Sequence, residues 1–190
     1  ERMIRYMDKN KILVRGDVSL KHGGPSSYYI NTENFSTNAQ LSRIGEVFAD
    51  CIQENHLAFD ALVGLAYHGI AFAVAAATAL YTKYGKTCSY CYDRRVADSR
   101  GRMLCGHTLS AGERVVIVDD VMTSGSSVIE RVERLRSQAD IQVTAVIVII
   151  NRRNQMPEGT PSGEERILEK YGAKVYSLIT DEDIDAALQK

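Results

Sequence analysis

Residues 114–130 read RVVIVDDVMTSGSSVIE. Four apolar residues, Val115 to Val118, have the profile of a strand buried on both faces. They run into two adjacent acids, Asp119 and Asp120. The loop Thr123-Ser124-Gly125-Ser126-Ser127 follows, and apolar residues Val128, Val132 and Leu135 then recur at helical spacing. In a parallel sheet, ligands bind beyond the carboxyl ends of the strands, which is where this reading puts the acids. The first amides of the following helix have no partners inside it, and together with the helix dipole they form an anion site. Gly125 lets the backbone curl closely around a phosphate, and the four hydroxyls supply further donors. Two carboxylates would repel a lone phosphate. They suit a ligand that carries hydroxyls beside its phosphate, because carboxylates accept from a ribose diol and help to hold Mg²⁺ directly or through water. The implied ligand is a sugar phosphate. The competing view, an Asp helix cap before an ordinary turn, explains one acid and leaves the second without a role.

Outward from this stretch, strands and helices alternate. A helix ending in a strand is expected over the first 20 residues. The segment LKHGGPSSYYIN (20–31) reads as a turn followed by resumed strand character. Leu41, Ile44, Val47, Phe48, Cys51 and Ile52 mark a helix over about 36–55. DALVGL (60–65) is a short apolar strand, and IAFAVAAATALYTKYG (70–85) an Ala-rich buried helix. A strand is expected over 87–92, a long polar loop over 93–112, a helix over 127–138 and a very apolar strand over 143–150. The 151–163 segment reads as loop, followed by a helix, a strand over 174–180 and a closing amphipathic helix. Several strands are apolar throughout, so the fold class is α/β: a single domain of 190 residues with a parallel sheet covered by helices on both faces. A small hood is expected from about 1–35 plus part of 151–175.

The net charge is −1, which provides no field to draw nucleic acid or a membrane surface. No apolar run approaches the roughly 20 residues needed to span a bilayer. Cys88 and Cys91 form a C-x-x-C, but positions three apart on a strand point to opposite faces, so the pair cannot grip one metal. The cysteines read as reduced cytoplasmic thiols.

The DDVMTSGSS run resembles the phosphoribosyl diphosphate signature of the type I phosphoribosyltransferase family. The order of LKHGGPSSYYIN, DALVGLAYHGIAFA, CYDRR, NRRNQ and GEERILEKYGAKVYSLITDEDI is similar to that of its orotate-using members. That resemblance implies transfer of the 5-phosphoribosyl group from phosphoribosyl diphosphate (PRPP) to orotate, giving orotidine 5′-phosphate and diphosphate, a step of pyrimidine synthesis. It implies that Asp119 and Asp120 hold the ribose and that residues 123–127 hold its phosphate. Mg²⁺ is the implied cofactor, bound mainly through substrate and water, with Asp119 or Asp120 as a direct contact. Arg94 and Arg95 match loop cations facing diphosphate. Tyr67 and His68 fall in the diphosphate loop, and Lys21 matches a Lys reaching toward base and diphosphate. Arg152 matches the Arg that grips orotate, with Arg153 as a competitor. Tyr29 and Ile30 flank the base position, and stacking by Tyr29 stands against a half-buried strand role for Tyr28 and Tyr29.

The match departs from the family at three places. His68 stands where the family has Lys. The loop over about 93–106, mobile in the family, has no counterpart of the catalytic Lys, leaving Arg100 or Arg102 to supply its charge. That loop is also about two residues short. The resemblance further implies a homodimer in which the loop, with Arg95 and Arg100, acts on the neighbouring subunit. The alternatives are a phosphoribosyltransferase for another base, or a catalytically weak regulatory homologue that binds PRPP or nucleotides.

Overall fold

The alternation of branched apolar residues along the central strands divides the core into two. Val116 and Val118 join one apolar cluster, while Val115 and Ile117 join the other. A strand with both faces committed to core must lie inside a sheet covered on both sides. The computed structural model describes residues 2–19, 25–152 and 159–188. In chain order it contains α1 (Arg2–Lys9), β1 (Leu13–Ser19), β2 (Pro25–Ile30), a single 3₁₀ turn (Thr32–Asn34), α2 (Asn38–Glu54), β3 (Ala61–Gly64), α3 (His68–Tyr84), β4 (Ser89–Asp93), β5 (Leu104–Gly106), β6 (Arg114–Met122), α4 (Ser126–Arg136), β7 (Gln142–Asn151), α5 (Gly163–Tyr171), β8 (Lys174–Thr180) and α6 (Asp181–Leu188).

The main sheet runs β5-β4-β3-β6-β7-β8, and β5 alone in it pairs antiparallel. Helices α2 and α3 pack over one face and α4 and α5 over the other. Two helix starts are set by local chemistry. Thr37 with Gln40, and Ser162 with Glu165, form reciprocal capping boxes in which each side chain satisfies a free amide at the helix N-terminus.

Two expectations about elements change. The segment 93–112 is not all loop, since Leu104–Gly106 forms an edge strand against Cys91–Asp93. Three residues carry no readable period, so pairing to β4 decides their state. Strand β6 also outruns Val118. It continues to Met122 because β7 offers ladder partners as far as Asn151, whereas β3 ends at Gly64 opposite Val118. The acids therefore sit within the last residues of β6, on the flank that β3 has vacated to become α3.

The first segment folds as α1 and the antiparallel hairpin β1–β2, which lies apart from the main sheet. The hairpin is tied to the other end of the chain by the Tyr28 hydroxyl, which donates to buried Asp181 at the start of α6.

Candidate functional site

At the carboxyl edge of the sheet, β6, α4, the turn before α3 and the segment after β4 enclose a cavity of about 350 Å³. Its floor is Asp119 and Asp120, one wall is the 123–127 loop, and the facing wall holds Tyr67, His68 and Arg95. The backbone places these walls. A Cβ on Gly69 would run into the Val118 carbonyl oxygen, and one on Gly64 into the Gly69 carbonyl oxygen. The turn bearing His68 therefore seats directly on β6, with no side chain between them. Gly125 holds a left-handed φ of +70° just before α4, a conformation that costs glycine nothing.

The two acids are not equivalent. Asp120 accepts from the Thr32 hydroxyl at 2.7 Å and lies 2.8 Å from His68 Nδ1, so its carboxylate is held by its neighbours. The carboxyl of Asp119 is pushed up to about 8, first by burial and then by the negative charge of Asp120 beside it. It is thus poised to gain from a cation or from hydroxyl donors arriving in the cavity. Among the described residues, no group of three or more His, Cys, Asp or Glu side chains is arranged to hold a metal ion by itself.

Arg95 lies over the Tyr67 ring at 4.9 Å from its centroid, with Tyr67 64% exposed, so both face the cavity mouth. Arg95 thus lines the cavity of its own chain. Arg94 turns the other way. It borders a separate pocket of about 210 Å³ with Arg102, Cys105 and His107, because successive residues leaving a strand point to opposite sides. Arg100 does not line the cavity. It sits in an exposed turn whose amides are gathered by Asp98, which also pairs with Arg102 at 2.8 Å. Neither Arg94 nor Arg100 therefore reaches the chain's own acids in this conformation.

Arg152 is buried, 6% exposed, at the end of β7. Its guanidinium lies over the Tyr28 ring at 4.8 Å and donates to the Ser26 hydroxyl at 2.9 Å. The aromatic beneath the guanidinium is Tyr28 rather than Tyr29. Alternation along β2 buries the first and leaves the second half-exposed, while Ile30 packs on the core. Asn151, beside Arg152, is buried with neither its amide nitrogen nor its oxygen paired. Lys21 and Arg153 lie outside the described residues.

The sequence reading missed four residues that shape the site. Thr32 braces Asp120. Arg166, on α5, donates to the Ser124 carbonyl at 2.6 Å and to the Ser126 hydroxyl at 2.8 Å. Asp93 and Arg131 form a buried ion pair at 3.2 Å, and Asp93 also accepts from the Ala66 amide. This pair joins the segment carrying Arg95, the turn carrying His68 and the helix behind the 123–127 loop. An acid just before two arginines was a readable signal for Asp93. Nothing local marked the others. All four cysteines are free thiols, and Cys88 and Cys91 pack against opposite clusters.

Comparison with known proteins gives a consistent result. The phosphoribosyl transferase domain family matches residues 32–162. A relative named orotate phosphoribosyltransferase from Agathobacter rectalis is 37% identical over 185 residues, covering 95% of this chain and 82% of the relative. One of the same name from Clostridium acetobutylicum is 35% identical, covering 100% of this chain and 86% of the relative. The crystal structure of the orotate phosphoribosyltransferase of Francisella tularensis superposes with a TM-score of 0.86 at 28% identity, covering 100% of this chain and 90% of that one.

Proposed function

This chain belongs to the phosphoribosyl transferase domain family and within it to the orotate phosphoribosyltransferases, and from that premise we propose how its cavity carries out the transfer. The reaction forms a bond between a ring nitrogen of orotate and C1 of PRPP and breaks the bond from C1 to diphosphate, whose oxygen leaves with the electron pair and can take up the proton that the ring nitrogen gives up. The product is orotidine 5′-phosphate, on the route to pyrimidine nucleotides. The observation that carries this reading is the joining of an acidic floor and a hydroxyl-lined helix start in one cavity.

The 5′-phosphate lies against Thr123, Ser124, Ser126 and Ser127 and the opening amides of α4, where free N–H groups and the helix dipole favour an anion. Asp120 accepts from the ribose hydroxyls, as does Asp119 once an arriving cation draws off its proton, and their negative charge favours the positive charge that develops on the ring as diphosphate departs. Opposite them, His68 and Arg95 meet the diphosphate. Arg95 is a planar cation suited to the charge accumulating on phosphoryl oxygens. Arg152, fixed by Tyr28 and Ser26, offers its fork to the carboxylate and carbonyl edge of orotate. The donor set fits Mg²⁺ held through diphosphate, ribose hydroxyls and water with one of the two aspartates. The ion would act as a Lewis acid on the leaving group.

The finer parts of the reading are a homodimer, in which the loop carrying Arg95 and Arg100 also serves the neighbouring site, and a cytoplasmic location. Both rest on the resemblance to the family. No helix among the described residues is long and apolar enough to cross a membrane. The test is turnover of orotate with PRPP and Mg²⁺, followed by loss of orotate absorbance, against adenine and xanthine as competing bases. Asp119→Asn and Arg95→Ala should each lower kcat/KM by about 10²-fold or more with the fold intact. Parent-like rates in both variants would show that the chemistry lies elsewhere.

A further inference from the structure

Ser126 stands at the opening of α4, and its hydroxyl has three hydrogen-bonding capacities: one donor and two acceptor lone pairs. Both acceptor positions are taken. Arg166 Nη1 donates to Ser126 Oγ at 2.8 Å, and the Ser124 hydroxyl donates to it at 3.1 Å. What remains is the Ser126 O–H itself, which can only give a hydrogen bond. A serine with free lone pairs can turn its proton to any acceptor nearby, whereas this one has its proton reserved for a ligand oxygen. The same Arg166 nitrogen donates at 2.6 Å to the Ser124 carbonyl, an acceptor that would otherwise place negative charge beside the anion cradle.

The seat of Arg166 is built rather than incidental. It lies on the first turn of α5, whose start is fixed by the Ser162–Glu165 capping box. That start is pressed onto the loop at Gly163, where a Cβ would fall 2.7 Å from the Thr123 carbonyl oxygen and 2.8 Å from the Gly125 nitrogen. The loop and the arginine are therefore held in fixed register although they lie 40 and 42 residues apart in sequence.

We propose that Arg166 is a positioning residue for the 5′-phosphate: it locks Ser126 as an obligatory donor, neutralises the Ser124 carbonyl, and adds positive charge one hydroxyl away from the bound phosphoryl group. This inference rests on the phosphate-loop reading above and extends it to an element outside the signature motif. Arg166 does not line the cavity, so it acts through Ser126 and the loop backbone.

The experiment compares Arg166→Gln, Arg166→Lys, Ser126→Ala and the double variant Ser126→Ala/Arg166→Gln. Calorimetry measures ribose 5-phosphate binding, steady-state kinetics separate KM for PRPP from kcat, and thermal melting checks the fold. Arg166→Gln should weaken ribose 5-phosphate about tenfold, with the kinetic loss falling mainly on KM. Arg166→Lys should recover part of that affinity through its charge. The double variant should lose less than the product of the two single losses, because the lock on the Ser126 hydroxyl is one part of what the arginine supplies. Unchanged affinity in Arg166→Gln, or losses that multiply in the double variant, would overturn the proposal while leaving the phosphate site standing. Failure of the parent protein to bind ribose 5-phosphate would remove both.

Discussion

The Asp93–Arg131 pair permits a quantitative test of how the site is held. Arg131 Nη1 lies 3.2 Å from both oxygens of Asp93, and the two side chains are only 11% and 6% exposed. At an effective dielectric constant of about 20, unit charges at that distance attract by about 5 kcal/mol. Arg131→Met keeps the apolar stem and removes the charge. Asp93 is then a buried carboxylate with one amide donor, that of Ala66, in place of a full partner. Breaking a buried pair from one side costs about 3–5 kcal/mol, because the remaining charge stays desolvated. For a chain of this size that loss corresponds to a fall in Tm of about 6–20 °C. Urea titration at neutral pH should show the loss as a shifted midpoint with an unchanged slope. The double variant Asp93→Asn/Arg131→Met should recover most of it, since an Asn oxygen still accepts from Ala66 and carries no charge. The reasoning is refuted if the single variant stays within about 1 kcal/mol of the parent, or if the double variant is as unstable as the single.

Three other outcomes follow from the geometry. The Asp119 carboxyl rises from 3.8 in the ordinary state to about 8 in the fold, so the folded chain holds this proton more tightly than the unfolded one. The associated stability is full below pH 3.8 and is lost as pH rises through 8. Asp119→Asn should therefore flatten the fall in urea midpoint between pH 6 and 8.5 seen in the ligand-free parent, and an equal slope in both proteins would contradict the assignment. Gly69→Ala places a methyl group against the Val118 carbonyl oxygen and should destabilise the chain by about 1–3 kcal/mol, or displace the His68 turn, read out by melting and by lost PRPP binding. Among the thiols, Cys105 is held below its ordinary range by the Tyr92 hydroxyl and Arg94, whereas burial pushes Cys91 up to about 12. Timed alkylation followed by mass spectrometry should modify Cys105 well before Cys91.

The sequence revealed what local chemistry controls. The runs Val115–Val118 and Val143–Ile150 could only be inner strands, and the acid pair followed by a hydroxyl-rich glycine loop specified a ligand class without any partner residue in view. What stayed hidden depended on contacts distant in the chain. Strand β6 is longer than its apolar run because β7 continues to pair with it, a fact that lies in the neighbour's length. The three residues of β5 are too few to show a period. Tyr28 and Tyr29 were indistinguishable until the hairpin register put one beneath Arg152. Arg131 and Arg166 looked like ordinary polar positions on amphipathic helices, and only the fold brought them 38 residues to Asp93 and 42 residues to the Ser124 carbonyl.

The hairpin's tie to α6 divides the labour of recognition along the chain. In the proposed mechanism the side chains that touch sugar and 5′-phosphate lie in one passage from Asp119 to Ser127, braced from outside it by Thr32 and Arg166. The nucleobase end proposed for Arg152 is assembled from distant stretches, with Tyr28 anchored on Asp181 and Arg152 resting on Tyr28. Drift near either terminus can therefore retune which heterocycle is accepted while the common currency of the family, the activated pentose, continues to be handled in the same way. Laboratory selection for a new base should sample those outlying stretches and leave the middle of the polypeptide untouched.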